Sequence, residues 1–154
     1  MKRDEAPVIE AATPADVPAI AALLRGAGLP HEDFSPHVAD FLVARDTQGA
    51  VVGAVGAERG GEEALLRSLV VAPELRGAGL GGRLVEELER RAAAWGVRRW
   101  WLLTTTAEAF FAARGFRVVQ RCAAPEVMRV TGQFSGGCGS SALCMTRERP
   151  AEAT

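Results

Sequence analysis

Residues 66–83 read LRSLVVAPELRGAGLGGR, and the rest of the chain can be placed around this stretch. Its first part is a short apolar run that ends at Pro73, which predicts a strand. A glycine-rich segment at residues 76–82 follows, and helical periodicity begins directly after it. The pattern therefore predicts a strand that runs into a glycine turn opening a helix. Glycines let the backbone approach a ligand closely, and the N–H groups at a helix start suit a phosphate.

The composition is that of a soluble globular protein. The chain has 154 residues, of which 48% are hydrophobic and 24% charged, enough for one domain with a real core. The formal net charge of -1 implies no general attraction to nucleic acid. No apolar run is long enough to span a bilayer, and the stretch MKRDEAPVIE lacks the apolar region of a signal peptide. We therefore expect a cytoplasmic protein with no nucleic-acid or membrane partner.

The cysteines and histidines show no metal-binding spacing. The three cysteines are Cys122, Cys138 and Cys144. An odd count without a CxxC pair argues against a disulfide framework and favours free thiols packed as small apolar residues; a thiol site for a soft metal or metalloid is the alternative. His31 and His37 fit no common ligand spacing, so we expect no metal. The segment of residues 29–36, which holds His31, Glu32 and Asp33 and directly precedes His37, is interpreted as a surface loop and one wall of a substrate cleft.

Periodicity predicts a chain that mixes strands and helices, of the α/β (α+β) class. Before the turn it predicts strands at residues 7–12, 41–44, 50–58 and 64–71, with a helix that Thr13 can cap between the first two. After the turn it predicts a helix up to Gly96, a strand at 99–104, a short helix that Thr106 can cap, strands at 116–120 and 141–146, and a short helix or loop at 124–131. Residues 1–147 are expected to form one domain, and residues 148–154 a frayed polar tail.

Of two other phosphate-binding interpretations of the turn, the nucleotide P-loop fails and the dinucleotide site is disfavoured. A nucleotide P-loop ends in Gly-Lys-Ser or Gly-Lys-Thr, whereas this turn ends in Gly81-Gly82-Arg83. Gly77, Gly79 and Gly82 match a dinucleotide fingerprint by letter, but that fingerprint also needs an acidic residue at the end of the next strand. That strand ends WLLTTT, without an acid.

A third interpretation covers nearly the whole chain. The pattern Arg/Gln-x-x-Gly-x-Gly/Ala is met by Arg76, Gly79 and Gly81. With the long helix, the threonine strand and the block FFAARGF in the same order, the chain resembles the GNAT family of acyl-CoA-dependent N-acetyltransferases. The resemblance implies a mixed, mostly antiparallel sheet of about seven strands flanked by helices. It also implies that the central strands splay apart and that acetyl-CoA enters the gap.

Further segments narrow the resemblance. LLRSLVV, LLTTTAEAFFAARGF and APEVMRVTGQF, followed by CGSSA, look like the GNAT subfamily found with arsenic-resistance genes. That subfamily is similar to short amino-acid acetyltransferases of the N-acetylglutamate synthase type. The implied acceptor is a small amino acid or an amino-acid-like arsenical, and the implied assembly is a homodimer.

The resemblance also assigns a cofactor site. Backbone groups of Leu69 and Val71 should pair with the pantetheine arm, and a backbone N–H near Leu69 or Val70 should polarise the thioester. Arg76 should add a charge-assisted contact to the pyrophosphate. The pyrophosphate should otherwise bind the N–H groups of Gly77, Ala78, Gly79, Leu80, Gly81 and Gly82.

The proton chemistry departs from the family. Many GNAT enzymes protonate the leaving thiolate with a tyrosine, and this chain has none. Phe111, which we also place at the cofactor site, occupies the matching position. The general acid is therefore unassigned, with Glu58 and Thr104 as weak catalytic candidates. For the base we weigh Glu58, Glu63, both histidines and water; each of these side chains has a solvated surface position as its alternative.

The acceptor site rests on polar residues near the two central strands. Arg67 or Ser68 should face the cleft, where an arginine could clamp a carboxylate; the alternative is an arginine on the open sheet surface. Thr104, Thr105 and Thr106 could bind polar groups of the acceptor, or reflect strand propensity and capping. Arg129, Ser140 and Ser141 are weaker candidates. A non-catalytic acyl-CoA sensor and a thiol-based arsenical-binding protein are the competing functions.

Overall fold

The computed structural model describes residues 6–131, 134 and 142–149. Within them, seven strands hydrogen bond in the order β1-β2-β3-β4-β5-β7-β6. The strands are β1 (Val8–Ala11), β2 (Phe41–Arg45), β3 (Val51–Gly60), β4 (Glu63–Val71), β5 (Arg99–Thr104), β6 (Arg117–Val119) and β7 (Leu143–Glu148). The α-helices among them are α1 (Val17–Gly26), α2 (Leu80–Ala93), α3 (Glu108–Ala112) and α4 (Glu126–Arg129). This is the mixed sheet with flanking helices that the sequence predicts.

Strand direction also follows the expectation. The pairs β1–β2, β2–β3, β5–β7 and β6–β7 are antiparallel. The pair β4–β5 is parallel and joins residues 63–65 to residues 99–101. A parallel pair needs a crossover connection, and α2 lies in the segment between these two strands.

Most predicted boundaries shift by one to three residues, and the largest changes at strand ends fall on β3 and β7. The third strand continues to Gly60, because its neighbour in the sheet, β4, starts only three residues later. The last strand runs to Glu148 rather than 146, since residues 143–148 pair with the whole of β5. Arg149 then donates its N–H to the carbonyl of Arg98 across 2.7 Å, so residues 148 and 149 are not part of the frayed tail expected. Residue 141 and residues 150–154 lie outside the described part.

The chain divides into two compact units, and the boundary between them crosses β3 and β4. The first unit falls within Met1–Ala57 and Arg67–Ala92. Its core holds Ile20 and Leu24 of α1, together with Phe34, Phe41 and Val43. Ile20 and Leu24 occupy the helical spacing that the sequence predicts, and Phe41 and Val43 lie in the predicted second strand. Phe34, in the predicted surface loop, is buried in this core instead.

The predicted cap position at Thr13 holds for the 3-10 turn that leads into α1, whereas the N-cap of α1 itself is Asp16. One 3-10 turn, Pro14–Asp16, precedes the helix. The carboxylate of Asp16 accepts hydrogen bonds from the N–H and the hydroxyl of Thr13, across 2.9 and 3.3 Å. It also accepts from Arg45 on β2 across 2.8 Å, and Arg45 pairs in addition with Glu10 on β1. The helix start is thus tied to two strands of the same unit.

The second unit falls within Glu58–Leu66 and Ala93–Thr154. Its core contains Leu65, Trp101, Met128 and Cys144. The indole N–H of Trp101 donates to Glu63 across 2.6 Å, which satisfies the polar atom of this buried ring. Burial raises the pKa of the Cys144 thiol to about 11, as expected for a thiol packed as an apolar residue.

Candidate functional site

The glycine turn adopts the conformation that its composition requires. Gly77 and Gly79 have φ angles of 85° and 87°, a left-handed region that residues with a Cβ rarely enter. A Cβ at either position would meet no atom within 4 Å, so conformation rather than crowding calls for glycine. The space around the turn is open, which suits the close approach of a ligand.

The turn leads into the N-terminus of α2. The N–H of Arg83 donates to the carbonyl of Gly79 across 3.1 Å, the first hydrogen bond of the helix ladder. The amides of Leu80, Gly81 and Gly82 lie ahead of that bond. A helix of 14 residues places a partial positive charge at this end, and these amides are oriented to bind an anion.

Arg76 lies beside the turn and is exposed. Its Nε donates to the carbonyl of Val71 at the end of β4 across 3.1 Å. Leu69 and Val71 are half-buried, whereas the side chain of Val70 belongs to the core of the first unit. The structure therefore brings together, in one unit, the residues predicted to hold the pantetheine arm and the pyrophosphate.

Ser68 interrupts the regular geometry of β4. With a φ of 62°, it is the sole non-glycine residue with positive φ in the described chain. Its hydroxyl accepts a hydrogen bond from Nε of Arg67 across 2.9 Å. The Arg67 side chain is 0% exposed, so the alternative of an arginine on the open sheet surface is wrong. A buried cation needs an anionic partner.

Asp33 is that partner, in the loop predicted to form one wall of a cleft. Its carboxylate accepts from Nη2 of Arg67 across 2.6 Å and is 46% exposed. Burial alone would raise the pKa of Asp33, but the hydrogen bond and charge of Arg67 outweigh it and hold the pKa below its usual value. Sequence reasoning missed this pair, because 34 residues separate its members. The sequence signal that pointed to a partner was the position of Arg67, a charged residue within an apolar strand.

The candidate bases occupy different environments. Glu58 is 7% exposed on β3, so its expected solvated position is wrong: the residue lies within a strand buried from Val52 onward. Glu63 is half-buried and engaged by Trp101. His31 lies 3.2 Å from the carbonyl of Leu29 through Nδ1. In the described residues, no three His, Cys, Asp or Glu side chains are grouped as a metal site requires.

The threonine strand ends in the second unit. Thr104 is buried, and its Oγ1 accepts the N–H of Ala107 across 2.9 Å. The predicted cap at Thr106 is therefore wrong: Ala107 is the N-cap of α3, and its N–H is bonded by the side chain of Thr104. Thr105 and Arg129 are exposed. Ser140 and Ser141, with Cys138, lie outside the described residues.

Phe111, in the same unit, is packed rather than open. It is 4% exposed and makes edge-to-face contacts with Phe110 and Phe116, at centroid distances of 5.0 and 5.5 Å. An aromatic side chain is thus kept at this position by a cluster of three rings.

No described helix is long and apolar enough to cross a membrane.

The seven-stranded mixed sheet and the glycine turn at the N-terminus of α2 are the features that the resemblance to the acyl-CoA-dependent N-acetyltransferases implies. Residues 37–118, more than half of the chain, match the family model described as Acetyltransferase (GNAT) domain. The chain belongs to the GNAT acetyltransferase family.

Individual relatives agree with that assignment. Over 48 residues the chain is 48% identical to the amino-acid acetyltransferase of Ralstonia nicotianae, covering 31% of this chain and 11% of that protein. The Neisseria gonorrhoeae N-acetylglutamate synthase, complexed with coenzyme A and N-acetyl-glutamate, aligns over 92% of this chain and 34% of its own, at 24% identity and a TM-score of 0.79. Rv2747 of Mycobacterium tuberculosis, in complex with CoA, aligns over 94% of this chain and all of its own, at 24% identity and a TM-score of 0.74. The chain thus spans about a third or less of the length of the Ralstonia and Neisseria proteins.

Proposed function

We propose that this protein is an N-acetyltransferase that moves an acetyl group from acetyl-CoA to the primary amine of a small amino-acid-like acceptor. The observation that carries the proposal is the glycine turn at the N-terminus of α2, in a chain of the GNAT family. Family membership supports the class of reaction, and the amino-acid acetyltransferase of Ralstonia nicotianae supports the class of acceptor.

The turn fits the pyrophosphate of coenzyme A. The left-handed φ angles of Gly77 and Gly79 and the open space around them allow a close approach to the backbone. The amides of Leu80, Gly81 and Gly82 supply donors, and the helix dipole favours two negative charges there. Arg76 adds a guanidinium held by Val71 at the end of β4. Bound acetyl-CoA would supply the thioester that the acceptor amine attacks.

Thr104 and Glu58 are the candidates for the proton transfers. Phe111 lies at the family's tyrosine position and has no proton to donate, so another group or water protonates the thiolate. Thr104 has a buried hydroxyl whose oxygen is oriented by the N–H of Ala107. Glu58 has a buried carboxylate that could accept the proton of the amine. A coenzyme A thiolate is a fair leaving group, so a dedicated acid is not required.

Acceptor recognition is assigned to Arg67 and Ser68. Arg67 carries the charge that an amino acid's carboxylate requires, and Ser68 fixes the orientation of its Nε. Thr104 and Thr105 of the threonine strand stay sequence predictions for the same role. An arsenic-containing amino acid is the narrower candidate within this acceptor class, supported by the sequence resemblance described above. From the same resemblance we also propose that the protein is cytoplasmic and forms a homodimer.

A thiol-release assay tests the proposal. The protein is incubated with acetyl-CoA and a panel of amino acids, their decarboxylated amines and arsenical amino acids. We expect release of free coenzyme A with at least one amino acid, and an acetylated product of the matching mass. Binding of acetyl-CoA without turnover of any acceptor would instead support a non-catalytic acyl-CoA sensor.

A further inference from the structure

The two members of the Arg67–Asp33 ion pair differ in exposure. The Arg67 side chain is 0% exposed, whereas that of Asp33 is 46% exposed, and the two atoms joined lie 2.6 Å apart. Because a buried guanidinium is stable only beside an anion, the carboxylate of Asp33 has to stay or be replaced by another anion. The solvent-facing member of the pair is Asp33, so that carboxylate lies where an anion from solvent would arrive.

The surroundings of Asp33 favour an exchange by side-chain rotation alone. Phe34 follows directly, is 1% exposed, and packs against Phe41 with a centroid distance of 5.3 Å. The backbone beside Asp33 is therefore anchored in the core of the first unit. The hydroxyl of Ser68 continues to accept from Nε of Arg67 when the Asp33 carboxylate turns away. The guanidinium thus keeps one fixed partner during an exchange.

We propose that Asp33 holds the place of the acceptor's carboxylate, and that an amino acid binds by displacing Asp33 from Arg67. This inference rests on the acceptor role proposed for Arg67 and makes the acceptor class more specific. A carboxylate replaces Asp33 like for like, so Arg67 is never left unpaired. An amine without a carboxylate leaves the Arg67–Asp33 pair closed and gains no ion pair. The exchange therefore selects amino acids over the corresponding amines.

The state of Asp33 supports this exchange. The pKa of its carboxyl is held below the usual value, so Asp33 is ionised at neutral pH and competes with an incoming carboxylate through the same charge. Asp33 is accordingly a specificity-determining residue that acts through Arg67.

Steady-state kinetics of the whole chain separates this role from a structural one. The variants are Asp33→Asn and Glu32→Gln, tested with an amino acid and with its decarboxylated amine. Glu32→Gln is the matched control, because it removes one negative charge from the neighbouring position, whose side chain is 89% exposed. In Asp33→Asn we expect the KM for the amino acid to fall by about tenfold, since one charge-assisted competitor is gone. The kcat should stay within about twofold, and Glu32→Gln should match the wild type.

The outcomes are distinguishable. If the wild type acetylates amino acids but the KM of Asp33→Asn is unchanged or higher, Asp33 merely orients Arg67 and the exchange is refuted. If the wild type acetylates no amino acid, the proposed function itself fails.

A measurement on the wild type covers the case in which Asp33→Asn does not fold. The carboxyl carbon of Asp33 is titrated by NMR with coenzyme A present, with and without a saturating amino acid. Displacement from Arg67 should move the pKa of Asp33 upward, toward its usual value, and the decarboxylated amine should not. An Asp33 pKa that stays the same with the amino acid would refute the exchange.

Discussion

The Nε of Arg76 donates a hydrogen bond to the main-chain carbonyl of Val71, which holds the guanidinium at the end of β4 and beside the glycine turn. If Arg76 contacts the pyrophosphate, Arg76→Gln should raise the Kd for acetyl-CoA by about tenfold, the usual effect of one charge-assisted contact. The loss should shrink at high salt, because Arg76 is exposed. Calorimetric titration at two salt concentrations measures both effects. Arg90→Gln, toward the other end of α2, is the control and should leave the Kd unchanged; equal effects of both variants would contradict the assignment.

The conformation of Gly79 offers a matched pair of substitutions. Gly79 and Gly49 have φ angles of 87° and 85°, and neither has an atom within 4 Å of a Cβ. Alanine at either position should destabilise the fold by roughly 1–2 kcal/mol through backbone strain alone. Only Gly79→Ala should also weaken acetyl-CoA binding, by about tenfold, as the turn relaxes away from its binding geometry. Denaturant unfolding and titration together test this, and a Kd that changes equally in Gly49→Ala would disprove it.

Phe111 tests whether the absent tyrosine limits the reaction. Its ring is buried between Phe110 and Phe116, so the hydroxyl of Phe111→Tyr enters a packed cluster. We expect a stability loss of about 1–3 kcal/mol and no gain in kcat. Phe110→Tyr, at a half-buried position, should be tolerated. A clear rise in kcat for Phe111→Tyr would show that protonation of the thiolate limits the wild-type enzyme.

The Asp16–Arg45 pair predicts how the stability depends on acid. The hydrogen bond from Arg45 lowers the pKa of Asp16 below its ordinary value of 3.8, although burial works in the opposite direction. Its stabilisation is therefore fully present above pH 3.8 and is lost as the pH falls below that value. Asp16→Asn should cost about 2 kcal/mol at neutral pH and flatten the acid limb of the stability curve. Glu10→Gln, at a more exposed partner of Arg45, should cost less than about 1 kcal/mol.

The thiols should differ in reactivity. Burial raises the pKa of Cys144 from 9.0 to about 11, and Cys122 is exposed. Iodoacetamide at neutral pH should therefore label Cys122 and spare Cys144, as peptide mapping can establish. The neutral thiol of Cys144 stabilises the fold below pH 9.0, and this contribution should disappear as the pH rises toward 11. Labelling of native Cys144 at neutral pH would show that this core opens.

The fold was largely predictable because local patterns encode it. The strand before Pro73, the turn residues Gly77 and Gly79, and the amphipathic α2 are each specified by neighbouring residues. Boundaries that depend on a distant partner were not predictable: β7 extends to Glu148 because β5 pairs with it along its whole length. Single-sequence patterns carry no information on such pairings.

The candidate site likewise has a part that the sequence predicts and a part that it does not. The anion-binding turn follows from sequence, since glycine conformation and helix termini are local properties. The partner of Arg67 does not, because contact between residues 33 and 67 is created only by folding. The start of α3 illustrates a local ambiguity. Thr104 and Thr106 both carry a hydroxyl, and only the chain path brings that of Thr104 to the N–H of the N-cap residue Ala107.

The left-handed backbone of Ser68 has a consequence for how this position can evolve. Glycine at this position would remove the backbone strain that goes with a φ of 62°, so selection for stability alone would favour glycine. Glycine would also remove the hydroxyl that holds Nε of Arg67. A small side chain that tolerates the strain and still accepts a hydrogen bond satisfies both demands, and few residue types do. We therefore expect only a few residue types to be tolerated at position 68 for as long as the orientation of Arg67 contributes to fitness.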